Sequence, residues 1–162
     1  MRLSEGVEWG LHCATLLSFL PDGQALPAAR LAEYHGVPGA YLAKNLQALS
    51  RAGIVETVPG ARGGYRLARS PAAISMLEIV EALDGHESAF RCTEIRRRGP
   101  TAVPAREYRA PCAIHAVMDR ADAAWRAELA AASIADIVTM LSESAPSGAL
   151  KKGSKWFQEV LR

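Results

Sequence analysis

Cysteine is scarce in this chain. There are three in 162 residues, an odd number, which argues against a disulfide framework and for buried thiols, metal ligands or redox chemistry. No apolar run approaches the roughly 20 residues that cross a bilayer. The opening residues lead into a segment carrying Glu8 and His12, which does not suit a signal peptide, so a cytoplasmic protein is expected. A strong excess of one charge is also missing. The formal net charge is only +2, so affinity for a polyanion has to come from local patches and from doubling by dimerisation. Paired C-x-x-C hooks, H-E-x-x-H and the H-x-E element of zinc deaminases are absent, and no enzyme is expected. The length suits one domain plus an appendage, with a core that folds without staples.

What is present is concentrated in residues 41–69, YLAKNLQALSRAGIVETVPGARGGYRLAR. Leu42, Leu46 and Leu49 recur at helical spacing and predict an inward face, leaving Tyr41, Lys44, Asn45, Gln47 and Arg51 for the outer surface. Gly53 suits a left-handed C-cap, residues 54–58 and 65–67 read as strands, and Gly60, Gly63 and Gly64 permit a tight tip carrying Arg62. Five basic residues stand against one acidic residue, Glu56, enough locally to neutralise phosphates and release counterions. Residues 26–35, apolar at helical spacing and running into Gly36-Val37-Pro38, supply the preceding helix and turn. The predicted fold is mainly α with a small β-wing, a winged helix-turn-helix that reads double-stranded DNA at an operator or promoter. Tyr41, Lys44 and Gln47 are the expected contacts from the second helix, and Arg62 the expected minor-groove contact from the wing.

Punctuation divides the chain into a reading domain at 1–85, a loop at 86–111, a long helix at 112–145 and a tail at 146–162. Residues 4–20 read as a first helix stopped by Pro21-Asp22-Gly23, and residues 74–83 as another ended by Asp84-Gly85. The loop has little periodicity, three prolines and six arginines, and at 26 residues it exceeds the length of ordinary connections. Beyond it, Ile114, Val117, Met118, Ala121, Trp125 and Leu129 continue to Ile134, Ile137, Val138 and Leu141 at helical intervals. That pattern predicts one amphipathic helix of about 30 residues, long enough to outrun a small domain and bury its stripe in a homodimer. The tail reads as a short docking helix or a mobile end.

Cys92 and Cys112 bracket the loop, and two thiolates cannot fill a four-ligand cluster site. Glu8 and His12 are four apart, one helical turn above each other, and are candidate partners; an ordinary surface pair has the same spacing. Cys13 points about 100° away from His12 and reads as a buried small hydrophobe.

The segment LAEYHGV, followed by YLAKNLQALSRAGIVETVPGARGGYRLARSPAAISMLEIVEALDG, resembles the winged-helix regulators that include IscR, NsrR and RsrR, over roughly residues 1–142. VEWGLHC at 7–13, FRCTEIRRRGP at 90–100 and PCAIHAVMDRADAAWRAELA at 111–130 resemble the RsrR type in particular. The resemblance implies a redox-sensing transcriptional regulator. It further implies a two-iron two-sulfide (2Fe-2S) cluster held by Glu8 and His12 of one chain and Cys92 and Cys112 of its partner. The chain departs from the commoner pattern of three cysteines in a short loop, which speaks against a four-iron cluster. His115, three after Cys112, stands where IscR-like members place a histidine ligand and is the alternative to His12. An imidazole in place of a thiolate removes negative charge and raises the cluster potential, which suits a sensor. Trp9, between the two first-helix candidates, is the expected redox-coupling residue. The rival reading is a cluster-free winged-helix regulator that uses a cysteine thiol switch, a small effector or a partner protein.

Overall fold

The computed structural model describes residues 3–60 and 63–161. Arg62, the expected wing-tip contact, lies outside the described residues. Helix α1 (Glu5–Leu17) buries Val7, Gly10, Cys13, Ala14 and Leu17 along one face. That face packs on α3 (Gly39–Arg51) and α4 (Met76–Asp84). Close packing depends on Gly10, since any side chain there would run into Leu83, with Ile79 beside it. The helix stops at Leu17, earlier than its sequence suggests, because Ser18 to Leu20 turn tightly on the carbonyls of Ala14 to Leu17.

Helix α2 (Ala28–His35) ends at Gly36, whose left-handed φ of 66° turns the chain through Val37 and Pro38 into α3. Leu42, Leu46 and Leu49 are fully buried on the inner face of α3, as their spacing predicts. Strands β1 (Val55–Val58) and β2 (Gly64–Leu67) pair antiparallel, Val55 opposite Leu67 and Val58 opposite Gly64. The wing is fastened to the helices by a second ladder step, in which Leu26 and Tyr65 exchange N–H···O bonds of 2.9 and 2.8 Å. Gly64 makes this approach possible, because at its φ of 151° a Cβ would strike the Leu26 carbonyl. Leu26, Leu31, Ile54, Ile74, Ile79 and Ile134 complete the core, each at 0% exposure and each stabilising by about 2 kcal/mol.

One expectation is corrected. The single helix of about 30 residues is two, α5 (Ala113–Ala131) and α6 (Ile134–Ser144). Ala132 leaves helical geometry at φ −96°, ψ 122°, and Ser133 starts α6 with a capping box closed by Asp136. The break lets Met76 N–H donate to Ala132 O at 2.8 Å and Ile134 N–H to Ile74 O at 3.0 Å, which carries Ile134 into the core. Helix α5 itself has no buried residue and meets the reading domain chiefly at α4. There Arg126 reaches Glu81, Asp122 and the His86 carbonyl. The tail is helical, α7 (Ser147–Val160), with Trp156 edge-on to Tyr34 of α2 at 4.7 Å between ring centroids. Gly64→Ala is expected to lower the unfolding free energy by about 2 kcal/mol or more. Gly23→Ala, left-handed but facing open space, is expected to cost about 1 kcal/mol, and urea midpoints at equal m-value compare the two.

Candidate nucleic-acid interface and metal ligands

Burying the leucine stripe of α3 turns Tyr41, Lys44, Gln47 and Arg51 to solvent. Asn45, grouped with them by sequence, instead faces Gly6 of α1, and its amide nitrogen is buried without a partner. Tyr41 is 54% exposed and its ring stands edge-on to Trp9 at 5.5 Å. Local charge is smaller than counting suggests. Arg66 pairs across the wing with Glu56 at 2.6 Å. Arg69 is spent on the carbonyls of Gly53 and Ala73 and on Glu78 at 2.8 Å. Among the described residues of this stretch, Lys44 and Arg51 are the cations left to the outer surface.

Glu8 and His12 are both exposed on the edge of α1 opposite its buried face. They line a small recess with Trp9, His35 and Val37, and the His12 ring lies 5.7 Å from that of His35. Burial, and His12 beside it, push the His35 imidazole below its ordinary pKa, and its Nε2 has no hydrogen-bond partner. The same edge borders a larger apolar groove of about 800 Å³ between α1 and α6, walled by Leu11, Ile137 and Leu141.

The loop at 86–111 is held by Tyr108, a residue that sequence reasoning missed. Its hydroxyl donates to the Arg96 carbonyl at 2.6 Å, and the guanidinium groups of Arg96 and Arg97 lie 4.9 and 5.5 Å from its ring centre. Arg96 also binds Glu94 at 2.7 Å and donates to the Ala110 carbonyl at 2.9 Å, drawing the two ends of the loop together. Glu94, left-handed at φ 51°, directs its N–H to Cys92 Sγ at 3.4 Å. Cys112 occupies the N-cap of α5. The backbone N–H groups of His115 and Ile114 face its sulfur, and together with Arg96 they hold the thiol below its ordinary pKa, though none closes a full capping hydrogen bond. An isolated tyrosine in a polar, arginine-rich loop was the signal available for this arrangement. His115 pairs through Nε2 with Asp119 at 3.2 Å, lies 6.2 Å from Phe90, and leaves Nδ1 buried without a partner. Cys13 is fully buried, its pKa pushed up to about 12.

Among the described residues of one chain, no three histidine, cysteine or acidic side chains converge as a metal site. The donor chemistry nevertheless fits an iron-sulfur group in two halves. One half is a pair of partly exposed thiols, one poised toward thiolate and the other receiving an N–H; the other half is an exposed carboxylate and imidazole on one helix face. A profile described as iron-dependent transcriptional regulators, Rrf2, matches residues 3–140. The chain belongs to the Rrf2 family.

A Synechocystis protein assigned as the HTH-type transcriptional regulator slr0846 is 38% identical over 84 residues, covering 52% of this chain and 57% of that protein. YwgB of Bacillus subtilis, assigned likewise, is 30% identical over 91 residues, 56% and 58% of the two chains. This Rrf2 chain thus spans a little over half the length of the curated relatives it matches. Among solved structures, CymR, the global cysteine regulator of B. subtilis, aligns with a TM-score of 0.70 at 21% identity over 86% of this chain and 98% of CymR. IscR of T. potens aligns at 0.69 and 21% identity, over 91% and 93%. At these identities the likeness is one of fold, and the winged helix-turn-helix is the fold of this Rrf2 chain. No helix among its described residues is long and apolar enough to cross a membrane.

The thiol environments predict an order of reactivity in metal-free protein. Iodoacetamide should alkylate Cys112 first, with a rate that rises with pH earlier than for an ordinary thiol. Cys92 should follow, and Cys13 should react only on unfolding. Peptide mass spectrometry over a pH series reads the order, and early labelling of Cys13 would contradict the packing of α1.

Proposed function

We propose that this Rrf2 chain is a DNA-binding transcriptional regulator that works as a homodimer and is controlled by a two-iron two-sulfide cluster. Glu8 and His12 of one chain, with Cys92 and Cys112 of the partner subunit, would hold the cluster. When bound, it supplies a one-electron redox change. The observation that carries the reading is the contact between Trp9 and Tyr41. Trp9 sits between the two first-helix ligands in sequence, and its ring bears on an exposed aromatic of the helix that presents Lys44 and Gln47. A shift of α1 would therefore be felt at Tyr41 on the reading surface.

The homodimer is supported by unpartnered apolar surface. On α5, Ile114 is 67% exposed and Val117 53%, with Met118 beside them, and the groove between α1 and α6 offers apolar walls next to Glu8 and His12. Among the described residues of one chain the donors do not converge on a common point, and ligation across that interface would bring them together. Tyr41, Lys44 and Gln47 are proposed to meet DNA from the major groove, with Arg62 of the wing in the minor groove.

One observation favours His115 over His12 as the nitrogen ligand. Its Nε2 is oriented by the Asp119 carboxylate while Nδ1 stays free, the arrangement in which a carboxylate fixes a ligating imidazole. A thiol switch without a cluster is the rival, favoured by the lowered pKa of Cys112.

Iron, sulfide and visible absorbance of anaerobically purified protein decide among these. About two irons and two sulfides per chain are expected, lost in Glu8→Ala and His12→Ala and kept in His115→Ala. The reverse pattern assigns His115, and a colourless, metal-free protein leaves the thiol switch. On DNA, oxidised and reduced protein should differ in affinity by about 5- to 150-fold. Trp9→Ala should bring that ratio near one with iron content retained. Lys44→Ala should lower the salt slope of binding by about 1, and an unchanged slope removes Lys44 from the phosphate contacts.

A further inference from the structure

Where α7 folds back over the end of α1 and over α6, it closes a cleft of about 600 Å³, within the range of small-molecule sites. Leu16 and Phe19 wall it from the α1 side, Leu141 from α6, and Leu150 and Phe157 from α7. Among the described residues, no charged side chain lines it. The polar groups on its lining are the Tyr34 hydroxyl, Ser154 and Gln158. Gly153, in the middle of α7, lies against the Tyr34 hydroxyl. Helix α7 also lies past the 3–140 span that the Rrf2 profile matches, so the cleft is built by this chain's own continuation.

We propose that this cleft binds one uncharged, largely apolar small molecule carrying a hydrogen-bonding group, and that occupancy is reported to the reading head through Tyr34. The described wall, apolar and without charges, favours a neutral ligand, since nothing in it would offset the lost hydration of an ionic one. A second copy of the chain is served elsewhere. The exposed apolar residues of α5 take no part in the cleft, and the groove beside Glu8 and His12 shares only Leu141 with it. Tyr34 is the connection. Its ring stands edge-on to Trp156 of α7 at 4.7 Å and to His35 at 5.0 Å, one residue before the Gly36 turn that aims α3. A ligand that displaces Tyr34 therefore acts on the hinge of the helix-turn-helix. The site stands on its own geometry, and only its effect on DNA rests on the function proposed above.

The test uses the full chain and the neutral fluorophore N-phenyl-1-naphthylamine. Saturable binding of about one probe per chain is expected, weakened roughly tenfold or more by Ala149→Phe, which fills the cleft from α7, or by Ala145→Leu, which fills it from α6. Melting temperature and circular dichroism identify whichever variant stays folded. Saturating probe should change the affinity for DNA roughly threefold or more, and His35→Ala, which removes the ring that Tyr34 bears on but lies outside the cleft, should abolish that change while leaving probe binding in place. No saturable binding, or binding that neither folded variant weakens, overturns the site. Binding that vanishes as the dimer forms assigns the cleft to a second copy and overturns the small-molecule reading. Saturable binding with unchanged DNA affinity overturns the coupling. If the wild-type chain binds no DNA, the proposed function fails while the probe alone still decides the site.

Discussion

Helix α1 has to pack tightly on one side and stay open on the other, and much of the molecule follows from that constraint. Its inner face carries Gly6, Gly10, Cys13 and Ala14, small residues that let α3 and α4 approach closely. A side chain at Gly10 would displace the Leu83 methyl of α4, the helix that holds α5 through Glu81 and Arg126. Close packing also fixes what the outer edge can do. Glu8 and His12 face outward because the next positions, Trp9 and Cys13, are turned toward the protein. The same geometry brings Trp9 onto Tyr41, so the edge with metal-ligating chemistry and the helix with DNA-reading chemistry are one side chain apart.

Electrostatics in the reading domain divides between structure and surface. Arg66 and Arg69 are consumed internally, one joining the wing strands to each other and one tying the strand end to α4 through Glu78. The Glu78 carboxylate is held below its usual pKa by the Ser75 N–H and by Arg69. These partly exposed ion pairs contribute little stability individually, and the wing is fastened to the helices by the Leu26–Tyr65 backbone bonds. Fewer cations are left on the outer surface, so under the proposed function binding to DNA would lean on doubling of the reading heads in the homodimer.

The regular parts of the fold were legible because burial writes itself as period. Leu42, Leu46 and Leu49 gave α3 its inner face, and glycines at 36, 53 and 64 marked turns that only their backbone freedom permits. The break at Ala132 was not legible, because Ile134 and Ile137 continue the helical spacing across it. What wins there is tertiary: two hydrogen bonds to the segment around Ile74 and the burial of Ile134 outweigh an unbroken helix. The separate reach of Glu8 and His12 from Cys92 and Cys112 is a matter of placement that spacing cannot encode, and Asn45 shows the same limit in small. A polar residue on the boundary of an amphipathic helix was assigned to solvent, yet Gly6 leaves a gap that draws it inward. Tyr108 organises a loop with no period at all, so its only signal was compositional, a lone tyrosine among arginines, and periodicity could not announce it.

Because Arg126 and the backbone bonds at Ala132 and Ile134 anchor the C-terminal part of α5, the rest of that helix behaves as an arm of fixed phase. Cys112 sits at its tip. Inserting one residue between Cys112 and Arg126 would rotate the thiol by about 100° and carry it about 1.5 Å outward. Seven residues, close to two full turns, would nearly restore the angle but lift the thiol by about 10 Å. Length and direction therefore cannot be adjusted independently. The number of residues in the arm is constrained as tightly as their identity, and an insertion silent in the loop at 86–111 would be felt here at once.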